Sequence, residues 1–204
     1  MNVFKVYIKA YALNPERYKI LQTGVQILYS YLSGVIKYAN QTLKHTTYND
    51  AMIIYGSYIN YSDLSGTEHI LLNITPESYA RKYLKGGPNL KYAAGVTKLI
   101  GEQRVFSEIM WSFIEEADNK PLALANYAFH ELVHNKAYAK YKGLKEQEDF
   151  VHKNSGEGVL AEVVRPKQAG NMSANAENIK TMAEVYALPI EQFRVYLAVE
   201  PKIR

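Results

Sequence analysis

The chain has no cysteine, and it has few of the residues that break regular structure, with 12 glycines and 7 prolines among 204 residues. Without thiols there is no disulfide framework, no thiolate metal site and no cysteine nucleophile. Any metal must therefore be held by histidine and carboxylate side chains. With 48% apolar and 22% charged residues and no room for a long linker, we expect one folded domain spanning residues 1–204.

Long hydrophobic runs are missing as well. The N-terminus, MNVFKVYIKAYAL, alternates polar and apolar residues and lacks the continuous apolar segment of a Sec signal peptide, which by default predicts a cytoplasmic protein. The most apolar long window, residues 20–36, is interrupted by polar residues and is typical of a buried amphipathic helix. We therefore expect no membrane span.

Positive charge exceeds negative charge only slightly, with a net charge of +4 and a pI of about 9.0. Lysines alternate with tyrosines in YARKYLKGG and AYAKYKGLK, a mixture that could neutralise phosphates and stack bases. No RNP, KH or helix-turn-helix pattern accompanies it, so the segments indicate a solvated lysine-rich surface. A nucleic-acid partner is not expected, and nothing in the sequence indicates an oligomeric state.

The order of apolar patterns predicts an α+β fold. Residues 3–12 alternate like a half-buried strand, and Asn14 with Pro15 begins a helix whose apolar spacing continues to Gly34. A helical turn or two is predicted at 76–84. Further buried strands are predicted at 51–55, 69–74 and 104–111.

The second half of the chain is predicted to be mainly helical. Asn119 and Pro121 are typical of a helix start, and Gly143 of a helix end, so a long helix is expected over residues 121–141. After it we expect a polar, glycine-bearing loop at 143–158, a helix capped by Ser173 or Asn175, and a last helix after Pro189.

The predicted 121–141 helix contains the sequence YAFHELVHNK. Residues four apart lie on one face of a helix, so His130 and His134 can bind a single ion. Glu131 projects about 100° further round, where it is badly placed as a ligand but can take a proton from a water that the ion activates. The pattern H-E-x-x-H is therefore typical of catalytic zinc sites, and an accidental match in such a chain is expected on the order of 1% of the time.

On this motif and on the order of its elements, the sequence resembles the zincin metallopeptidases. The resemblance covers residues 3–186 in outline. It implies a mixed N-terminal sheet packed on the HExxH helix within residues 1–142, and a third-ligand loop and helices within 143–204. It also implies Zn²⁺ as cofactor and an edge strand that holds an extended peptide. The longer metzincin motif HExxHxxGxxH is not matched, because Ala137 and Lys140 stand at its glycine and third histidine.

A catalytic zinc ion usually has three protein ligands and one open position, so a third ligand is expected from beyond the helix. His152 is the histidine that follows the helix, and its predicted polar loop could return it to the metal. A glutamate is the alternative, with Glu157 and Glu162 better placed than Glu146 or Glu148. A site with no third protein ligand is also left open.

The tail from VHKNSGEGVL to ENIKTMAEVYALPIEQF is similar to small metallopeptidase-like sequences of bacteria and their phages. In that pattern glycine is more usual where Ser155 and Glu157 stand here. Met172 is similar to the methionine that underlies the zinc in metzincins, although packing is the commoner role of a methionine in a turn.

Other polar residues are candidates for supporting roles. Tyr127 and Tyr138 share the histidine face of the helix and could stabilise an oxyanion, although core packing accounts for both. Asn135 could orient a ligand through a hydrogen bond. His45 and His69 have no partner pattern and are expected to be structural.

Together these features predict a zinc-dependent metalloendopeptidase that acts on a peptide or protein, with His130, His134 and His152 as metal ligands and Glu131 as general base. The substrate is expected to pair with an edge strand at 104–111. The alternative is a non-enzymatic structural or nucleic-acid-binding protein whose metal is structural or absent.

Overall fold

The computed structural model describes residues 2–59, 69–77, 94–100, 104–141, 143–153 and 158–188. They form the predicted α+β fold. The strands are β1 (Val3–Ala10), β2 (Asp50–Gly56), β3 (His69–Thr75), β4 (Gly95–Ile100) and β5 (Arg104–Met110). The helices are α1 (Pro15–Tyr38), which continues into a π-helical turn at Ala39–Leu43, α2 (Trp111–Glu115), α3 (Lys120–Ala137), α4 (Leu144–His152), α5 (Pro166–Ala169) and α6 (Ala176–Ala183).

The strands build one mixed sheet in the order β2-β1-β3-β5-β4. The first four strands in that order run parallel, and β4 pairs antiparallel with β5, so that Thr97 lies directly opposite Ser107. The prediction that 104–111 is the edge strand was wrong, because β5 lies between β3 and β4. Among the described strands β4 is the outermost on this side, and the sequence patterns did not predict it.

Most side chains of strand β1 are buried. Phe4, Val6 and Ile8 pack into the main hydrophobic cluster beneath the helices, as their alternation predicts. Tyr7 and Lys9, on the opposite face, are also buried. The strand was expected to be half buried, but from Val6 to Ala10 it is buried on both faces, as parallel strands usually are, while Lys5 is exposed.

Helix α1 begins as its sequence predicts, since the Asn14 side chain accepts a hydrogen bond of 2.8 Å from the backbone N–H of Arg17. It runs past the expected end at Gly34 and reaches Tyr38. Its buried stripe packs on α3, and both helices cover the same face of the sheet. None of the helices in the described part of the chain has the length and apolar character needed to cross a bilayer.

Helix α3 has the predicted cap, with the Asn119 side chain accepting from the backbone N–H of Leu122 at 3.1 Å. It ends at Ala137, four residues before the predicted end at 141, and turns follow at 138–140. Almost every residue from Ala123 onward is buried, because the helix lies between the sheet, α1 and the C-terminal segments.

The segment 143–158 is not the loop that was expected, because residues Leu144–His152 form α4. Among its residues 145–152, Gln147, Phe150 and Val151 are buried, at the spacing of one helical face. Glu146 in the first turn and His152 in the last also suit the helix dipole.

Helix α6 begins at the expected cap. The Asn175 side chain accepts from the backbone N–H of Asn178, and the Asn178 side chain accepts from that of Asn175. Residues 78–84 of the helical turns predicted at 76–84 lie outside the described residues, as does the last helix predicted after Pro189.

Candidate metal centre

Helix α3 presents two pairs of polar residues on two different sides. His130 and His134 are one turn apart, and their Nε2 atoms are 3.0 Å from each other. Glu131 and Asn135, also one turn apart, face the strands β4 and β5. The i, i+4 spacing thus places the imidazoles together and the carboxylate on a separate side of the same helix.

The last turn of α4 brings a third imidazole to this pair. The ligand nitrogens of His130, His134 and His152 all lie within 4.8 Å of one another, and we call these residues the three-histidine site. Zinc–nitrogen bonds of about 2.0–2.1 Å at tetrahedral angles require ligand nitrogens about 3.3 Å apart. The three histidines are therefore close enough to bind one metal ion.

The Nδ1 atoms of two of these histidines face backbone carbonyls. His130 Nδ1 lies 2.7 Å from the carbonyl oxygen of Val159, and His152 Nδ1 lies 2.7 Å from that of Leu160. A carbonyl can only accept, so Nδ1 carries the hydrogen in both rings. In the neutral form of each ring the lone pair is then on Nε2, the tautomer that a metal ligand needs.

The backbone at 158–160 is fixed by a glycine and by the cap of α6. Gly158 has φ of +128°, a backbone conformation that residues other than glycine rarely adopt. A Cβ at this position would also lie 2.9 Å from Oδ1 of Asn178. The same oxygen accepts a hydrogen bond of 3.4 Å from the Val159 N–H. Successive carbonyls are thereby held where they orient two different imidazoles.

The imidazole of His134 contacts a buried side-chain amide. The side-chain amide of Gln147 contacts Nδ1 of His134 and lies 3.3 Å from the His134 carbonyl oxygen. Its Oε1 has no hydrogen-bond partner in this orientation. A half-turn of the amide presents Oε1 to Nδ1, where it accepts the Nδ1 hydrogen and frees Nε2 for a metal.

Burial decides the charge of two of the histidines. It lowers the pKa of His130 to about 4 and the pKa of His134 well below its usual value, and the neighbouring imidazoles contribute in the same direction. Both rings are therefore neutral near pH 7 and able to bind a cation.

His152 differs from His130 and His134 because a carboxylate, Glu148, hydrogen-bonds its ring. Burial opposes the charged form of His152, yet a 2.9 Å hydrogen bond from Nε2 to Glu148 and the contact with the Leu160 carbonyl raise its pKa overall. A metal at Nε2 would replace this proton. Glu148 Oε1 also lies 4.0 Å from Nδ1 of His134, which puts a carboxylate next to two of the rings.

Glu131 is almost completely buried, with 5% of its surface exposed. The Thr97 hydroxyl donates a hydrogen bond of 2.6 Å to its Oε2. Burial raises the pKa of Glu131 to about 8, although the Thr97 hydrogen bond acts in the opposite direction. A carboxylate with a raised pKa accepts protons readily, as a general base must.

The alternative third ligands that lie among the described residues, Glu146, Glu148 and Glu162, are not part of this cluster. Glu146 and Glu162 are exposed, and Glu148 hydrogen-bonds His152. Glu157 lies outside the described residues, as does Ser155. Among the described residues, His152 is the candidate that lies beside His130 and His134, and it is carried by a helix where a loop was predicted.

Most of the other candidates have structural contacts. The Tyr127 hydroxyl donates to the Val164 carbonyl at 3.3 Å, and the Met172 carbonyl accepts from Asn126 at 2.8 Å. Asn135, expected to orient a metal ligand, instead donates to Ser107 Oγ at 2.8 Å. His45 is exposed after the π-helical turn. Tyr138 is the C-cap of α3. His69 is the first residue of β3, and its side chain is not among the parts that the structure describes.

Sequence reasoning missed the residues that surround the site. Thr97, Gln147 and the Val159 carbonyl contact the HExxH motif from other segments of the chain, and the Leu160 carbonyl contacts His152. Threonine, glutamine and backbone groups carry no motif, so their spacing along the chain gives no signal. Only the pairing of β4 with β5 and the path after α4 bring them to α3.

Comparisons with protein-family models, curated proteins and solved structures find no match to this chain. Any functional inference therefore rests on the chemistry of the site residues.

That chemistry suits a cation. If each ring is neutral with its hydrogen on Nδ1, three Nε2 lone pairs converge, and they repel one another unless a proton or a metal ion lies between them. Imidazole is a preferred ligand of zinc, copper, iron and nickel. The donor set thus fits a borderline transition metal.

Proposed function

We propose that this protein is a zinc-dependent metallopeptidase. The observation that carries the proposal is the convergence of His130, His134 and His152 beside a buried glutamate on the same helix. A catalytic zinc site usually has three protein ligands and keeps its fourth position for water or substrate, whereas a structural site is closed by a fourth protein ligand; the described cluster consists of three histidines.

The roles of the chain's residues follow from their positions. When bound, zinc would act as a Lewis acid that polarises the scissile carbonyl and lowers the pKa of water. Glu131 takes the proton of the attacking water and passes it to the departing amine, so its carboxylate must alternate between charged and neutral forms. Its raised pKa, about 8 through burial, brings these forms close in free energy near neutral pH.

We propose further that the substrate binds as an added strand along β4. This strand is the outermost of the described sheet, and its inner face contacts Glu131 through Thr97. A peptide paired with it through main-chain hydrogen bonds would run past the HExxH helix. The zincin resemblance implies the same arrangement, now with 95–100 in place of 104–111.

The proposal is tested with zinc analysis and Glu131→Gln. Protein purified without added zinc should contain about one zinc per chain, and it should cleave fluorescein-labelled casein until a chelator is added. Glu131→Gln is nearly isosteric and leaves the three histidines intact, so it should keep its zinc and lose cleavage.

Two results would contradict the proposal. One is a zinc-loaded chain that cleaves no casein and no peptide from a mixed fluorogenic library. The other is cleavage that survives both chelation and Glu131→Gln. Salt-sensitive binding to DNA or RNA that persists without metal would instead favour the non-enzymatic alternative.

A further inference from the structure

We propose that the edge strand β4 positions the general base, with Thr97 holding one oxygen of Glu131 so that the other is left to take the proton. This inference rests on the proposed peptidase function. Its structural basis is a chain of hydrogen bonds that links α3 to β4 and β5 and returns to α3.

The directions of these hydrogen bonds follow from what each group can donate. The Asn135 amide nitrogen only donates, so it gives its hydrogen to Ser107 Oγ at 2.8 Å. Ser107 Oγ lies 2.9 Å from Thr97 Oγ1, directly across the β4–β5 pair. The Thr97 hydroxyl has one hydrogen, and its shortest contact is the 2.6 Å bond to Glu131 Oε2. Ser107 therefore donates to Thr97, which donates to Glu131.

This chain of hydrogen bonds begins and ends on helix α3. Glu131 and Asn135 are one turn apart on α3, so the first donor and the last acceptor lie on the same helix face. Asn135 and Ser107 have no exposed surface, and Asn73 donates to the Ser107 carbonyl at 3.2 Å. Each member is thus held in place by groups other than Glu131, which gives the carboxylate a fixed donor.

Oε2 and Oε1 of Glu131 have different surroundings. Thr97 engages Oε2, while Oε1 faces Gly95, where a Cβ would lie only 2.5 Å away. The missing side chain leaves the carboxylate room beside the edge strand. We infer that Oε1 is the oxygen that accepts the proton, and that Thr97 is a positioning residue for it.

Thr97→Val tests this role because it removes the hydroxyl at nearly constant shape, and Thr97→Ser is the matched control that keeps it. In the zinc-loaded full chain, Thr97→Val should retain about one zinc and an unchanged KM for fluorescein-labelled casein. Its kcat should fall roughly 10- to 100-fold, the usual effect of losing a group that orients a functional residue. Thr97→Ser should recover most of the parent kcat.

A second measurement does not depend on catalysis. Thr97→Val should lower the Tm of the zinc-loaded chain by about 3 °C, and by clearly less when Glu131→Ala is already present, because the lost hydrogen bond needs both partners. Additive Tm shifts, or an unchanged kcat in Thr97→Val, would overturn the proposal. If the parent cleaves nothing, the peptidase function fails on its own, and the Tm cycle still decides whether Thr97 holds Glu131.

Discussion

Replacing Gly95 by alanine should damage catalysis without removing the metal. The added Cβ would lie 2.5 Å from Oε1, 2.7 Å from Cγ and 2.8 Å from Cδ of Glu131. Ordinary contacts begin at about 3.4 Å, so the carboxylate must retreat by about 0.9 Å. The carboxylate is the end of a flexible side chain and moves more easily than the backbone of β4, which is paired with β5 along its whole length.

A misplacement of about 1 Å costs on the order of 100-fold in rate, or about 2.7 kcal/mol in the activation barrier. We therefore expect Gly95→Ala to lower kcat on fluorescein-labelled casein by about 100-fold. The zinc content, measured by mass spectrometry of the metal, should stay near one per chain. The three atoms nearest to the added Cβ all belong to Glu131, and none belongs to a histidine.

Gly56→Ala is the matched control. Gly56 lies on β2, at the opposite edge of the sheet, and the nearest atom to a Cβ there is the Tyr58 carbonyl oxygen at 3.8 Å. This variant should keep the parent kcat. If Gly95→Ala also keeps it while a crystal structure shows Glu131 displaced, the positioning argument is wrong.

Three further variants test the surroundings of the site. Gln147→Leu should weaken zinc binding about 10- to 100-fold in competition with a chromophoric chelator, because His134 loses the group that fixes its ring; an unchanged affinity would contradict that role. The folded pKa of Glu131, about 8, exceeds its ordinary value of 4.5, so metal-stripped parent should lose Tm relative to Glu131→Gln as pH rises from 4.5 to 8. Parallel Tm profiles would refute the burial argument. Asn126→Leu leaves the Ala169 and Met172 carbonyls without their 2.7 and 2.8 Å donors, and should cost about 3 kcal/mol, or about 6–12 °C in Tm. A smaller Tm change would mean that water replaces the amide.

The features that the sequence predicted well are those decided within a few residues. Asn14, Asn119 and Asn175 cap their helices through hydrogen bonds to backbone N–H groups three residues later. The HExxH pair is equally local, because helix geometry alone places His134 one turn from His130. Such contacts depend little on the rest of the fold.

The features that failed depend on distant partners. Strand β4 is stabilised by β5 and by the packing of α3, and its own residues, GVTKLI, do not mark it as an edge. The segment 143–158, which contains helix α4, is polar and bears glycines, which predicts a loop, and one of the buried positions of the helix is Gln147. That glutamine is buried because it contacts His134, a contact that spacing cannot reveal.

The most direct test of the account is a crystal structure of zinc-loaded protein with anomalous scattering measured at the zinc edge. We expect a single peak bonded to the Nε2 atoms of His130, His134 and His152 at about 2.0–2.1 Å. A peak bound elsewhere, or imidazoles that turn away from one another with no shared ion, would contradict it.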